Sequence, residues 1–208
     1  MASPAPNSAV RRAAVVVPIV AGTEPSILFV QRAAHLRRNA GEVGFPGGLV
    51  EADDAGDLRR TALRELHEEI GVPDERIAIV RRLPDALVIN RTVLVAPFVG
   101  VIAPPLALRV DANEVAGVFD VPLARLFEPG ALHEGIERYG PLRIPTWQFD
   151  FGEHHIWGAT ARMLRSLLET LEGDEQLRAA LTERGVPATA FAPLALAHIR
   201  AEAGPLRP

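Results

Sequence analysis

Three glutamates crowd one short stretch, Arg64-Glu65-Leu66-His67-Glu68-Glu69-Ile70. On a helix turning ~100° per residue, Glu65, Glu68 and Glu69 fall within an arc of about 100°, so three carboxylates project from about one and a half turns. Like charges at i, i+3 and i, i+4 repel by about a few tenths of a kcal/mol per pair. Something positive should therefore sit among them. Arg64 can neutralise one, Glu68 at i+4, but it cannot serve all three. A divalent cation can, because hard Mg²⁺ or Mn²⁺ prefers carboxylate oxygens and is usually held by a few of them together with substrate phosphates. A solvated acidic face is the other reading of the same residues. Ahead of the trio stands Phe45-Pro46-Gly47-Gly48, whose glycines allow close backbone approach to a ligand. An acidic connection with Glu51, Asp53, Asp54 and Asp57 joins the two.

The element that must carry the glutamates is a helix over Leu58 to Ile70, stopped by Gly71. Its Leu58, Ala62, Leu63, Leu66 and Ile70 share an arc of about 140°, the stripe a helix needs to lie on a sheet. Apolar, β-branched runs predict strands over Ala13–Val20 and Ser26–Arg32 around a turn at residues 21–25. Further strands are expected at Ile77–Arg82, Ala86–Ile89, Arg91–Ile102 and Leu106–Val110, with Asn113–Phe119 ambiguous and a helical turn at Leu123–Phe127. A hairpin-like region, Arg143–Phe151, leads to a second long helix, Trp157–Glu172, and then to a helix over Asp174–Arg184. This order predicts a mixed sheet flanked by helices and not a doubly wound one.

Composition narrows the chemistry. The 208 residues carry 26 Asp plus Glu against 22 Arg and no Lys, a net charge of −4, which makes no case for nucleic acid. With no cysteine, disulfides, thiolate nucleophiles and Cys-ligated metals are excluded. No apolar run reaches membrane-spanning length and the start lacks the order of a signal peptide, so a cytoplasmic protein is expected.

Read forward, residues 47–72, GGLVEADDAGDLRRTALRELHEEIGV, resemble the box of the Nudix hydrolases. That box runs Gly, five residues, Glu, seven residues, Arg-Glu-aliphatic-any-Glu-Glu-any-Gly-aliphatic. Arg64 to Val72 match its second half throughout. The first half departs: Gly48 and five intervening residues lead to Asp54, and nine residues instead of seven separate it from Arg64. The acidic connection is therefore expected to tolerate substitution better than the helix. Upstream, Arg32-Ala33, Arg37, Gly41 and Phe45-Pro46-Gly47-Gly48 are similar to the motif of the coenzyme A diphosphatase branch, with Glu42 where many relatives carry Gln.

The resemblance implies a single α/β domain, a Nudix-type α/β/α sandwich with a mixed β-sheet. Residues 13–172 would form it, after a flexible tail over 1–12 and before a helical, Pro-containing extension over 173–208. It implies hydrolysis of the CoA diphosphate, or that of its thioesters, to 3′,5′-ADP and 4′-phosphopantetheine. Mg²⁺ or Mn²⁺ would be held by Glu65, Glu68 and Glu69 beside Arg64, and Glu65 or Glu114 would take the proton of the attacking water. Arg32, Arg37, Gly47 and Gly48 would orient the substrate, Arg37 being favoured for the 3′-phosphate. ADP-ribose, dinucleotides or oxidised nucleotides are the rival substrates, and a silent Nudix-like binding module is the rival outside catalysis. A homodimer is expected by analogy alone. His35 reads as a hydrogen-bonding residue, and Glu153-His154-His155 as a strand end whose histidines point apart.

Overall fold

The computed structural model describes residues 10–88, 93–139 and 141–194. Along the first strand, β1 (Arg11–Val20), side chains alternate between two buried surroundings. Ala14 and Val16 enter one apolar cluster, while Ala13, Val15, Val17 and Ile19 enter another. The period of two along a strand puts these sets on opposite faces, so β1 is central and covered on both sides. Its partners are β2 (Ser26–Arg32), β3 (Val43–Gly44), β4 (Gly47–Leu49), β5 (Ile77–Arg82), β6 (Ala86–Val88), β7 (Val93–Ile102) and β8 (Val115–Pro122). The sheet runs β3-β2-β1-β7-β5, with β4 on β1, β6 on β7 and β8 on β2. β1 and β7 run parallel from Arg11 opposite Val93 to Val20 opposite Ile102, and every other pairing in this sheet is antiparallel.

Helix α1 (Leu58–Ile70) covers one face with buried Ala62, Leu66 and Ile70. Helix α3 (Gly158–Gly173) covers the other with Met163, Leu164, Leu167 and Leu171. Along the chain between β8 and α3 come α2 (Leu123–Leu126) and an antiparallel meander of β9 (Leu132–Tyr139), β10 (Leu142–Phe151) and β11 (His154–Trp157). Helix α4 (Glu175–Thr182) follows, and its Leu177 and Leu181, with Val186 and Phe191, enter the core under α3. Residues 173–194 are thus packed on the domain. The result is the single mixed α/β domain expected, and among the described residues no helix is long and apolar enough to cross a membrane.

Some expectations changed. The chain over Leu106–Val110 forms no strand: the Arg109 N–H caps the Ile70 carbonyl at 2.9 Å, and Leu106 and Leu108 pack at the edge of the α1 cluster. Strand β9, with the sequence LHEGIERY, lacks the apolar alternation that would have announced it, since its cross-strand partner β10 supplies most of the buried side chains. Expected strand residues Ile89, Arg91 and Thr92, and the tail segments 1–9 and 195–208, lie outside the described residues. His154 and His155 do point apart: His154 stacks on Phe119 with ring centroids 3.6 Å apart, while His155 bonds Asp150 and Glu137.

Candidate active site

Helix α1 starts where Asp57 accepts the N–H groups of Arg59 and Arg60 and stops at Gly71, whose φ of 74° needs no Cβ. A side chain at Gly71 would also meet the Arg109 Cβ at 2.7 Å. Those two ends set the phase of the helix, and hence where Glu65, Glu68 and Glu69 point.

The acidic connection turned out to contain a fixed point. Residues 52–54 make one 3₁₀ turn, and Ala55 and Gly56 follow with φ of 52° and 78°. Two successive left-handed residues fold the longer loop back on itself, so Asp54 reaches Arg64 despite the extra spacing. Asp54 is wholly buried. One carboxylate oxygen accepts from Arg64 Nε at 3.0 Å, and the other from the Glu51 N–H at 2.8 Å, Thr61 Oγ1 at 2.9 Å and Arg64 Nη2 at 3.1 Å. The Arg64 bond holds the Asp54 carboxyl well below its ordinary range against the opposing effect of burial, and Asp54 in turn raises the Arg64 guanidinium. Asp54 is therefore not interchangeable with Asp53 and Asp57, contrary to the expectation of a tolerant connection.

Arg64 fans out from that anchor. Its Nη1 donates to Glu65 at 3.0 Å and Glu68 at 2.7 Å, and its Nη2 to the Leu49 carbonyl at 3.2 Å. Glu68, with a side chain 56% exposed, is held at the rim by this bond. Carboxylate oxygens of Glu65, Glu69 and Glu114 instead gather within 4.8 Å of one another. Glu114 arrives through backbone bonds: its carbonyl accepts the Ala33 N–H at 2.9 Å, its N–H donates to Asp111 at 3.1 Å, and Asp111 N–H donates to the Glu69 carbonyl at 2.9 Å. His35 Nε2 lies 3.0 Å from the Asn113 carbonyl, pinning the same loop.

Glu69 is almost fully buried, and burial pushes its carboxyl up to about 8 despite the Gly47 N–H donating to it at 3.0 Å. Burial likewise raises Glu65. The nearest cation to Glu69 is Arg32, whose Nη1 lies 3.6 Å away, while its buried Nε has no partner among the described residues. Three converging oxygen donors, two of them buried enough that ionisation without a cation is unfavourable, fit a hard divalent cation.

The glycines make this convergence feasible. A Cβ on Gly47 would fall 2.4 Å from the Ala14 carbonyl oxygen, and one on Gly48 would fall 2.2 Å from Glu65 Oε1. Gly47 spends its N–H on Glu69, so the pair shapes the site through clearance and through holding that carboxylate. Gly48→Ala should displace Glu65 and lower turnover at least ten-fold while moving the melting temperature little, because only a flexible side chain must yield. Equal turnover in that variant would remove Glu65 from the site.

On the α3 face of the sheet the same glycines border a cleft of about 260 Å³. Its floor is apolar, from Val15, Val95, Phe45 and Met163, and the charged residues Arg11, Arg32, Arg38 and Glu42 stand around it. Arg37 is exposed and outside this lining. The structure thus brings Arg32, Gly47, Gly48, Glu65, Glu69 and Glu114 together, with Arg64 and Glu68 alongside. Sequence reasoning missed Arg11 and Arg38, and it named Asp54 only as one residue of a connection expected to be tolerant. For Arg11 the signal was present, since it shares the parity of Ala13 and Val15.

Comparison with known proteins agrees with this architecture. The NUDIX domain family model matches residues 10–139. The uncharacterized Nudix hydrolase NudL of Salmonella paratyphi B is 38% identical over 159 residues, which span 76% of this chain and 81% of the relative, and NudL of Salmonella newport matches equally. A MutT/nudix family protein from Enterococcus faecalis shares the fold, with a TM-score of 0.51 at 14% identity over 87% of this chain and 70% of that one. A carboxylate-bearing α1 on a mixed sheet, and a family match over most of that sheet, lead to one conclusion: the chain belongs to the Nudix family and is a Nudix hydrolase, acting on a nucleoside diphosphate derivative.

Proposed function

We propose that this hydrolase cleaves the central diphosphate of coenzyme A or its thioesters, releasing 3′,5′-ADP and 4′-phosphopantetheine or its acyl form. The observation that carries the reading is the segment Arg32 to Gly48. Its motif resembles the CoA diphosphatase pattern, and it is folded between the carboxylates and the cleft, with Arg32 against Glu69 and Gly47–Gly48 bordering both.

Glu65, Glu69 and Glu114 would hold Mg²⁺ or Mn²⁺, whose chemistry is to neutralise the diphosphate and activate water. Glu68 would contribute from the rim through its pairing with Arg64. Arg64 is a positioning residue that fixes Glu65 from the Asp54 anchor. Of the two candidate bases, Glu114 is better placed to take the proton of the attacking water, since Arg64 already engages Glu65 while the Glu114 side chain makes no hydrogen bond among the described residues. Arg32, with an unsatisfied Nε beside the cleft, would donate to a diphosphate oxygen.

A product-resolved hydrolysis screen with Mg²⁺ and Mn²⁺ tests this directly. CoA should be cleaved faster than dephospho-CoA, by roughly ten- to a hundred-fold in kcat/KM if one charge-assisted bond of about 1.5–3 kcal/mol recognises the 3′-phosphate. Equal rates on CoA and ADP-ribose would overturn the CoA assignment.

A further inference from the structure

The cleft has a charged mouth that the diphosphate chemistry does not use. Strand parity puts Arg11 on the face of Ala13 and Val15, both in the cleft floor, whereas Arg12 faces away and pairs with Asp85 at 3.3 Å. Arg38 comes from the loop after β2, which is closed by the Arg32 N–H to Glu42 carbonyl bond at 3.0 Å and the Gly41 N–H to Arg32 carbonyl bond at 3.1 Å. That closure, with Asn39 at a φ of 54°, brings Arg38 to the cleft and leaves Arg37 outside. Among the described residues neither Arg11 nor Arg38 has an ion-pair partner.

We propose that Arg11 and Arg38 form an anion subsite for a phosphate monoester carried on the nucleoside half of the substrate. The nucleoside lies on the apolar floor between this subsite and the carboxylates. Val15 is the β1 residue opposite Gly47, so Arg11 stands four residues further along the strand. At about 3.3 Å per residue this is roughly 13 Å, a span covered by a nucleoside and the reach of an arginine side chain. Guanidinium groups on two sides of a phosphate recognise its doubly charged form better than one can. This deepens the CoA reading, whose 3′-phosphate is such a group, and it replaces Arg37 by Arg38 as the residue that recognises it.

Calorimetric titration of the full chain with 3′,5′-ADP and with 5′-AMP, without added metal, tests the subsite separately from turnover. The wild type should bind 3′,5′-ADP about ten- to a hundred-fold more tightly than AMP. Arg38→Met and Arg11→Met should each remove most of that preference, and Arg12→Met, on the opposite face, should keep it. Absence of a preference in the wild type, its survival in both variants, or its loss in Arg37→Met would overturn the proposal. The CoA reading fails independently. An enzyme that does not cleave CoA but keeps an Arg38-dependent preference for 3′,5′-ADP retains the subsite, whereas CoA cleavage with a preference indifferent to Arg11 and Arg38 retains only the reading.

Discussion

Replacing Glu69 by glutamine is expected to lower turnover by at least the ten- to hundred-fold that loss of an outer-shell partner of a metal site typically costs, about the smallest effect a ligand should have. The amide keeps an oxygen to accept the Gly47 N–H, so the fold should survive. What disappears is the buried charge, and with it Mn²⁺ binding by calorimetry should weaken. The metal-free protein should melt no lower than wild type, because an almost fully buried carboxylate with its nearest cation 3.6 Å away costs stability when ionised. Glu68→Gln should cost less activity than Glu69→Gln, since Glu68 lies at the rim on Arg64. Near-wild-type turnover of Glu69→Gln at limiting Mn²⁺ would remove that residue from the cation site.

The second large effect is on stability. Asp54→Ala leaves the Arg64 guanidinium without its main partner and Thr61 Oγ1 and the Glu51 N–H without an acceptor. Removing one member of a buried pair costs about 3–5 kcal/mol. Activity should fall as well, since Arg64 then no longer fixes Glu65. The pH dependence has a definite sign. A carboxyl held below its ordinary value of 3.8 contributes stability that is fully present above that value and is lost as pH falls through the lowered one. The melting-temperature gap between wild type and Asp54→Ala should therefore be widest above about pH 5 and close on acidification. An unfolding free-energy difference below about 1 kcal/mol at neutral pH would show that Asp54 is dispensable.

What local chemistry dictates was readable from the residues alone. Helix α1 has the expected bounds because its cap, apolar stripe and terminal glycine all act within a few residues of the chain. Strands β1 and β2 followed from β-branched runs, and the three carboxylates on one helix face from the helical period. The helix–sheet order was enough for a mixed α/β domain. Long-range closure set the rest. Whether a three-glutamate face meets solvent or a ligand depends on Glu114, which is delivered from 45 positions beyond Glu69 by backbone bonds to Ala33 and Glu69. Whether Asp54 could reach Arg64 depended on two left-handed residues absorbing the longer loop, which no count of spacing reveals. Neighbouring Arg37 and Arg38 have the same chemistry in sequence. Both are exposed, and only the closure of their loop against β2 sets Arg38 at the cleft and Arg37 outside it, because side-chain direction outside regular structure follows backbone contacts made far along the chain.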